Sequence, residues 1–182
     1  MTTRLIRRGL EKPLQAVSGS AVFVGYASLF GKRDSAGDIV MPGAFADSLA
    51  SRGPRGIRML FQHDPAEPVG HWMELVETQR GLWVRGQLDV NVQRGRELLS
   101  LLGGGGIDGL SIGFKTVHAT QDRALRGRRI TKIDLWEISL VTFPMLDGAR
   151  VSQVTNRARA LAEQVFLKSP GHSQQEHHQT WN

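Results

Sequence analysis

Residues 103–116 read GGGGIDGLSIGFKT, and this stretch decides how the rest of the chain is interpreted. Three apolar residues alternate with Ser111 and Gly113, which predicts a β-strand with its apolar side chains on one face and the serine on the other. Small neighbours leave the hydroxyl uncrowded, as a nucleophile that must admit a carbonyl group requires. A strand that packs closely against another backbone has the same pattern, so the stretch alone favours a structural role.

The composition indicates one domain without disulfides. The chain has 182 residues, of which 40% are hydrophobic, and this is enough for one core. It contains no cysteine, which excludes disulfides, thiolate metal sites and cysteine nucleophiles. No apolar run approaches the roughly 20 residues that span a bilayer, and the N-terminus lacks the apolar segment of a secretory signal. We therefore expect no membrane partner.

The charge pattern suggests how the chain is divided. The net charge is +6, and basic residues cluster in the first segment and again over residues 123–132. Such clusters can hold phosphates or an acidic partner, although solvated surface is the simpler explanation. We expect a basic arm over residues 1–15, a folded domain over residues 16–168 and a flexible tail over residues 169–182. The tail histidines lack the spacing of a metal site, and we predict no metal and no cofactor.

The hydrophobic periodicity predicts alternating strands and helices. Helices are predicted at 42–51, 92–102 and 149–168, and strands at 20–30, 57–62, 69–77, 81–90, 109–118 and 130–143. In the last strand, Glu137 shares a face with Leu135 and Ser139, opposite Trp136.

Two further polar residues stand out beside Ser111. His63 lies where Asp64 and Pro65 end a strand, so its ring can reach into a cleft or can simply bond to backbone. Glu137 interrupts an apolar strand, where an unpaired buried carboxylate is costly, unless the strand lies at an edge in water. Together the three residues can serve as nucleophile, base and orienting acid, provided that the fold unites them.

The segment GLSIG, residues 109–113, also matches the G-x-S-x-G pattern of α/β-hydrolases. That pattern requires a strand, a sharp turn and a helix, with the histidine last in the chain. Here the strand continues beyond the serine and the histidine comes first, so the match is interpreted as accidental.

Four segments in order resemble one known family. They are GYASLFGKRDSAGDIVMPGAF, FQHDPAEPVG, GGGGIDGLSIGF and DLWEISLVTFP, and the similarity runs over residues 23–150. The chain resembles the prohead proteases of tailed bacteriophages, capsid-maturation serine proteases thought to share a fold with the herpesvirus assembly proteases. The implied fold is α+β, with a closed or nearly closed, mostly antiparallel β-barrel and about three helices outside it.

The resemblance also implies the site residues. His63 would be the general base, Ser111 the nucleophile and Glu137 the third member of the triad. Because the herpesvirus relatives use a second histidine, His118 and His71 are the alternatives to Glu137. By analogy the oxyanion donors would come from the loop after the Glu137 strand, with 109–112 as the alternative; the loop candidates are Leu146, Asp147, Gly148 and Ala149.

The implied activity is serine endopeptidase cleavage of the scaffolding portion of the major capsid protein, and of the protease itself. It would take place inside the procapsid in the host cytoplasm, without need of nucleic acid. The oligomeric state stays open, with a homodimer among the alternatives. The rival functions are a non-catalytic assembly or scaffold-binding protein of the same fold, a nucleic-acid-binding protein suggested by a pI near 10.5, and a small esterase.

Overall fold

The computed structural model describes residues 21–122 and 127–155. The predicted basic arm over 1–15 and tail over 169–182 lie outside these ranges. The described residues form eight strands and two helices, which in chain order are β1 Val22–Leu29, β2 Asp38–Val40, α1 Ala46–Gly56, β3 Arg58–Phe61, β4 Asp64–Glu77, β5 Gly81–Leu88, α2 Gln93–Gly104, β6 Gly109–Asp122, β7 Gly127–Val141 and β8 Val151–Val154.

Strand β7 organises the sheet because it pairs with three other strands. Strand β6 runs antiparallel to it over nearly its whole length. Strands β2 and β3 run parallel to it, β2 beside its first residues and β3 beside Glu137 to Leu140. Parallel neighbours need a crossover connection, and α1 lies in the chain between β2 and β3. This arrangement brings the end of β3, where His63 follows, beside Glu137.

The predicted closed or nearly closed barrel is wrong. The sheet is mixed, with strand order β2-β7-β3-β4-β5-β1-β8 and β6 paired to β7, and hydrogen bonds do not close it. Where β8 approaches β6, the described part of the chain forms a single bridge between Gly109 and Arg150 instead of a ladder. Reading successive strands as hairpins missed the two parallel pairings. Among the described residues, the edge of β6 that faces away from β7 has no strand ladder.

Two helices form within the described residues instead of about three. Helix α1 begins four residues later than predicted and continues to Gly56 across a kink at Gly53, whose φ is +60°. Helix α2 matches its prediction closely. The helix predicted over 149–168 is wrong at its start, because Val151–Val154 forms β8 and pairs with β1.

The hydrophobic core packs against one side of the sheet. Phe23 of β1 and Trp72 of β4 meet edge to face with ring centroids 5.8 Å apart, and each is 1% exposed. Leu110, Ile138 and Leu140 are fully buried on the same side. The residues that alternate with them on β6 and β7 therefore face the other way, and these include Ser111 and Glu137. Within residues 21–122 and 127–155, no helix is long and apolar enough to cross a membrane.

Candidate active site

His63 occupies a strained turn between β3 and β4. Gln62 and His63 both have positive φ, 54° and 61°, as a two-residue type I′ hairpin turn requires. Residues with side chains pay for that conformation, about 1–3 kcal/mol each, and such strain concentrates at functional sites. The turn is fixed by Gln62, whose N–H donates to the Leu140 carbonyl at 3.0 Å and whose amide donates to the Thr142 hydroxyl at 2.7 Å.

The structure brings His63 and Glu137 together. His63 Nδ1 lies 2.7 Å from Glu137 Oε1, although 74 residues separate them in the chain. Because a carboxylate accepts, Nδ1 carries the proton, which leaves Nε2 free to accept one. The hydrogen bond to Glu137 raises the pKa of His63, partial burial works against this, and the charge of Glu137 adds to it.

Ser139 connects the same two residues and was not predicted as a site residue. Its hydroxyl donates to Glu137 Oε2 at 2.6 Å and accepts the backbone N–H of His63 at 3.1 Å. The residue is 0% exposed. The signal in the sequence was the spacing of two between Glu137 and Ser139, which places both side chains on one face of a strand.

Ser111 lies on the neighbouring strand, directly opposite Ser139 in the β6–β7 ladder. It is 4% exposed. Within residues 21–122 and 127–155, its hydroxyl makes no hydrogen bond to His63 or to any other group. Since no fully buried side-chain oxygen or nitrogen in that part lacks a partner, the Ser111 oxygen reaches solvent. Opposite residues have Cβ atoms about 4.5–5.5 Å apart. Ser111 therefore lies directly across the ladder from Ser139, whose hydroxyl bonds to both His63 and Glu137.

A β-bulge at Trp136 interrupts the alternation of β7 just before Glu137, which lies on the same face of the strand as Ser139. Gly113 pairs with Glu137 and Phe114 pairs with Leu135, so Trp136 is the extra residue. Leu135 is buried while Trp136 is 53% exposed. The predicted face was therefore right for Glu137 and Ser139, and wrong in assigning Leu135 to it, because strict alternation does not survive a bulge.

The two alternative histidines have other surroundings. His118 follows an irregularity in the β6–β7 register, and its Nδ1 lies 2.6 Å from the Thr131 hydroxyl. His71 is exposed on β4 opposite Gln87 and lines a cleft at the end of α1. Neither histidine makes a hydrogen bond or an ion pair with Glu137 among the described residues.

A small cleft opens beside Ser111 along the edge of β6 that β7 does not cover. The loop between β1 and β2 and the loop between β7 and β8 flank it. These loops touch where the Ser35 N–H donates to the Met145 carbonyl at 2.9 Å. Its residues are mostly apolar, with two carboxylates and one ammonium group: Ala27, Ser28, Lys32, Asp34, Asp38, Val40, Leu110, Ser111, Ile112, Met145 and Leu146.

The charges around this cleft are largely paired. Asp38 accepts two hydrogen bonds from Arg128, one of them from Nε at 2.8 Å, and this carboxylate raises the pKa of Arg128. Asp34 Oδ1 accepts the N–H groups of Ala36 and Asp38 at 2.9 and 2.8 Å. The carboxylates therefore shape the loop over residues 31–37 as well as charging the cleft.

The candidate oxyanion loop reaches the cleft through Leu146. The Ala149 N–H already donates to the Leu146 carbonyl at 2.9 Å, and the Ala149 carbonyl accepts the Leu110 N–H at 2.8 Å. These bonds tie the loop to β6 directly before Ser111. In the ranges 21–122 and 127–155, no group of three acidic or metal-ligating side chains could hold a metal ion.

Comparison with known proteins gives a consistent result. A family model described as caudovirus prohead serine protease matches residues 10–164. The prohead protease of Enterobacteria phage HK97 is 39% identical over 133 residues, which are 72% of this chain and 59% of that protein. The prohead protease of Escherichia phage T5 is 31% identical over 121 residues, 66% of this chain and 56% of that protein. The chain thus spans less than two thirds of the length of these relatives.

A solved structure shows the same fold. The capsid assembly protease of bacteriophage T4, gp21, superposes with a TM-score of 0.53 at 12% identity, covering 66% of this chain and 80% of that one. The resemblance predicted from the four sequence segments is confirmed by the family model, whose bounds contain His63, Ser111 and Glu137. The chain belongs to the caudovirus prohead serine protease family.

Proposed function

We propose that the chain is a serine endopeptidase that removes the scaffolding portion of the major capsid protein, and cleaves itself, during procapsid maturation in the host cytoplasm. One observation carries the proposal. In a member of a prohead protease family, the imidazole of His63 bonds to the Glu137 carboxylate, and the solvent-accessible Ser111 lies directly opposite Ser139, whose hydroxyl bonds to both residues.

The first half of the reaction forms an acyl-enzyme. The Ser111 oxygen attacks the scissile carbonyl carbon while His63 Nε2 takes its proton. The tetrahedral intermediate collapses when the carbon–nitrogen bond breaks, and His63 returns the proton to the leaving amine. In the second half, water attacks the acyl carbon while His63 takes its proton. The bond between that carbon and the Ser111 oxygen then breaks, and His63 returns the proton to Ser111 as the new carboxyl end leaves.

Glu137 has two tasks in this scheme. Its hydrogen bond fixes the tautomer with the proton on Nδ1, so that Nε2 is the basic nitrogen. Its negative charge stabilises the imidazolium that forms at each step, and the raised pKa of His63 is consistent with that role.

The developing oxyanion needs backbone N–H donors. We assign them to the loop that carries Leu146, Asp147 and Gly148, because Leu146 lines the same cleft as Ser111. Ala149, the fourth predicted donor, is the least suited, since its N–H already bonds to Leu146.

The substrate would bind along the cleft at the open edge of β6. The loop that follows β7 carries two exposed apolar residues, Phe143 at 87% and Met145 at 47% exposure, and Met145 lines the cleft. We propose that they contact the peptide around the scissile bond, and that closure of this loop on the substrate completes the site.

The test is co-expression of the full chain with its cognate capsid protein, followed by mass spectrometry of the fragments. The wild type should release the scaffolding segment, and Ser111→Ala should leave it attached. Ser152→Ala, which removes an exposed hydroxyl on β8, serves as the matched control and should process normally. Equal processing by Ser111→Ala and the wild type would favour the non-catalytic assembly protein instead.

A further inference from the structure

The hydroxyl of Ser139 contacts both the turn that carries His63 and the Glu137 carboxylate. It donates to Glu137 Oε2 while Glu137 Oε1 bonds to the His63 ring. It also accepts the N–H of His63, a residue whose backbone is held at positive φ. Both members of the His63–Glu137 pair are thus hydrogen-bonded to a single buried oxygen on β7.

We propose that Ser139 is a positioning residue of the peptidase site, which holds the Glu137 carboxylate and the His63 turn in the geometry that proton transfer needs. The inference rests on the proposed function, because it assumes that His63 is the base and Glu137 its orienting acid. Ser139 is assigned no contact with the substrate.

The carboxylate needs such a group because it is poorly solvated and its bond to His63 alone would not fix its orientation. The Glu137 side chain is 12% exposed, so water supplies few hydrogen bonds to it. Its two oxygens have different partners, the His63 ring on Oε1 and Ser139 on Oε2. Without the second bond the carboxylate keeps one anchor, and an ionised oxygen that lacks a partner in a poorly solvated site favours rotation or protonation.

The backbone bond gives Ser139 a second function. Turn residues with positive φ persist only where the surroundings over-determine them. The Gln62 side chain fixes the start of the turn through Thr142, and the Ser139 hydroxyl fixes its end through the His63 N–H. A small displacement of this turn moves Nε2 relative to Ser111, and proton transfer depends steeply on that distance.

A buried serine of α1 that bonds to the backbone of β7 provides a matched control. Ser48 of α1 donates to the Ile133 carbonyl at 2.7 Å and accepts the Leu135 N–H at 2.9 Å, and it is 4% exposed. Like Ser139, it donates one hydrogen bond and accepts another in a buried setting. It touches neither His63 nor Glu137 in the described contacts. Ser48→Ala therefore reproduces the structural cost of losing a buried hydroxyl without the positioning effect.

The kinetic experiment measures, as a function of pH, how fast the full chain cleaves the purified cognate capsid protein that still carries its scaffolding portion. Ser139→Ala should lower kcat by about 10- to 100-fold with little change in KM, part of the about 10²- to 10⁴-fold that a positioned acid–base group contributes. Ser48→Ala should keep the wild-type kcat, and Ser139→Thr, which keeps the hydroxyl, should recover most of the rate. If Ser139→Ala does not fold, Ser139→Cys takes its place, because a thiol is a weak hydrogen-bond donor and acceptor.

A readout independent of activity uses the Ser111→Ala background, in which the chain cannot process itself. The His63 ring is titrated by NMR, its signal being assigned by its loss in His63→Asn. Glu137 raises the pKa of His63. The carboxylate of Asp64, the residue that follows His63 in the chain, accepts the Ala66 N–H at 2.8 Å. Removing the Ser139 hydroxyl should move the pKa of His63 down, because Glu137 loses its fixed aim, and Ser48→Ala should leave it where it was.

The combinations separate the failure of this inference from the failure of the proposed function. In a Glu137→Gln background, adding Ser139→Ala should change the rate by less than about twofold, since both changes act through one contact. If Glu137→Gln is impaired but Ser139→Ala matches the wild type in rate and in His63 titration, the positioning role is wrong and the peptidase survives. If Ser111→Ala itself processes the substrate normally, the peptidase proposal is wrong.

Discussion

The Glu137 carboxylate lies over the Cα of Gly113, its partner in the β6–β7 ladder. A Cβ built on Gly113 would overlap the Glu137 carboxyl group and would lie 2.9 Å from its Cγ. Because Gly113 has no side chain, the Glu137 carboxylate can occupy the space beside it while it bonds to His63. A residue with any side chain at this position would push Glu137 away from the imidazole.

The first prediction follows from that contact. Gly113→Ala should abolish most of the peptidase activity, because Glu137 must rotate away from His63 to make room for a methyl group. Gly104→Ala is the control, since a Cβ there meets nothing within 4 Å and alanine favours the end of α2 by up to about 1 kcal/mol. Cleavage rates and thermal unfolding of both variants are compared with the wild type, and a fully active Gly113→Ala would contradict the geometry described here.

The second prediction concerns the pH dependence of cleavage. His63 must be neutral to accept the serine proton, and Glu137 raises its pKa, so the acidic limb of the rate profile should lie above that of an unperturbed imidazole. Glu137→Gln removes the charge, so the limb should shift to lower pH while the maximal rate falls by up to about 10⁴-fold. A limb that stays in place in Glu137→Gln would show that another group sets it.

The candidate residues of the site could be chosen from the sequence because their side chains carry chemistry. His63, Ser111 and Glu137 belong to unusual local patterns, and four segments in order supplied the family. The contact between His63 and Glu137 was not predictable, because it depends on β3 running parallel to β7, and that pairing requires a crossover through α1. Alternation along one strand says which face a residue takes, but not which strand lies next to it.

Ser139 and the Gln62–His63 turn were missed for different physical reasons. A serine in a strand has no distinctive pattern until its partners are known. The turn has two residues with side chains at positive φ, where sequence preference favours asparagine and glycine. The bulge at Trp136 was also invisible, since a single extra residue in a long apolar strand leaves no compositional signal.

The third prediction concerns stability. The folded-state pKa of His63 lies above its ordinary value of 6.5, so the charged ring stabilises the fold fully below about pH 6.5, and this contribution is lost as the pH rises through the raised pKa. His63→Asn removes the titrating group but tolerates positive φ. Because the ring is 42% exposed, the pH-dependent part of the difference should stay below about 1 kcal/mol. Urea unfolding at several pH values measures it, and a difference that grows toward high pH would contradict the sign.

The last prediction concerns the ion pair that anchors β2 at the cleft. Asp38 and Arg128 are direct ladder partners, yet the carboxylate side chain is 9% exposed and the guanidinium 44%. Removing the Arg128 cation leaves the buried Asp38 carboxylate without its partner, so Arg128→Ala should cost about 1–3 kcal/mol of unfolding free energy. Removing the anion returns a half-exposed guanidinium to water, so Asp38→Ala should cost less, below about 1 kcal/mol apart from the lost packing.

Chemical unfolding of the two variants and of the double variant Asp38→Ala/Arg128→Ala tests this asymmetry. The double variant should be more stable than Arg128→Ala alone, because it no longer contains an unpaired buried carboxylate. The same carboxylate lines the cleft beside Ser111, so Arg128→Ala should also slow cleavage, while the double variant recovers part of the rate. If Arg128→Ala proves the milder of the two single changes, Asp38 is better solvated than its 9% exposure indicates, and its pairing is not what holds β2 beside the site.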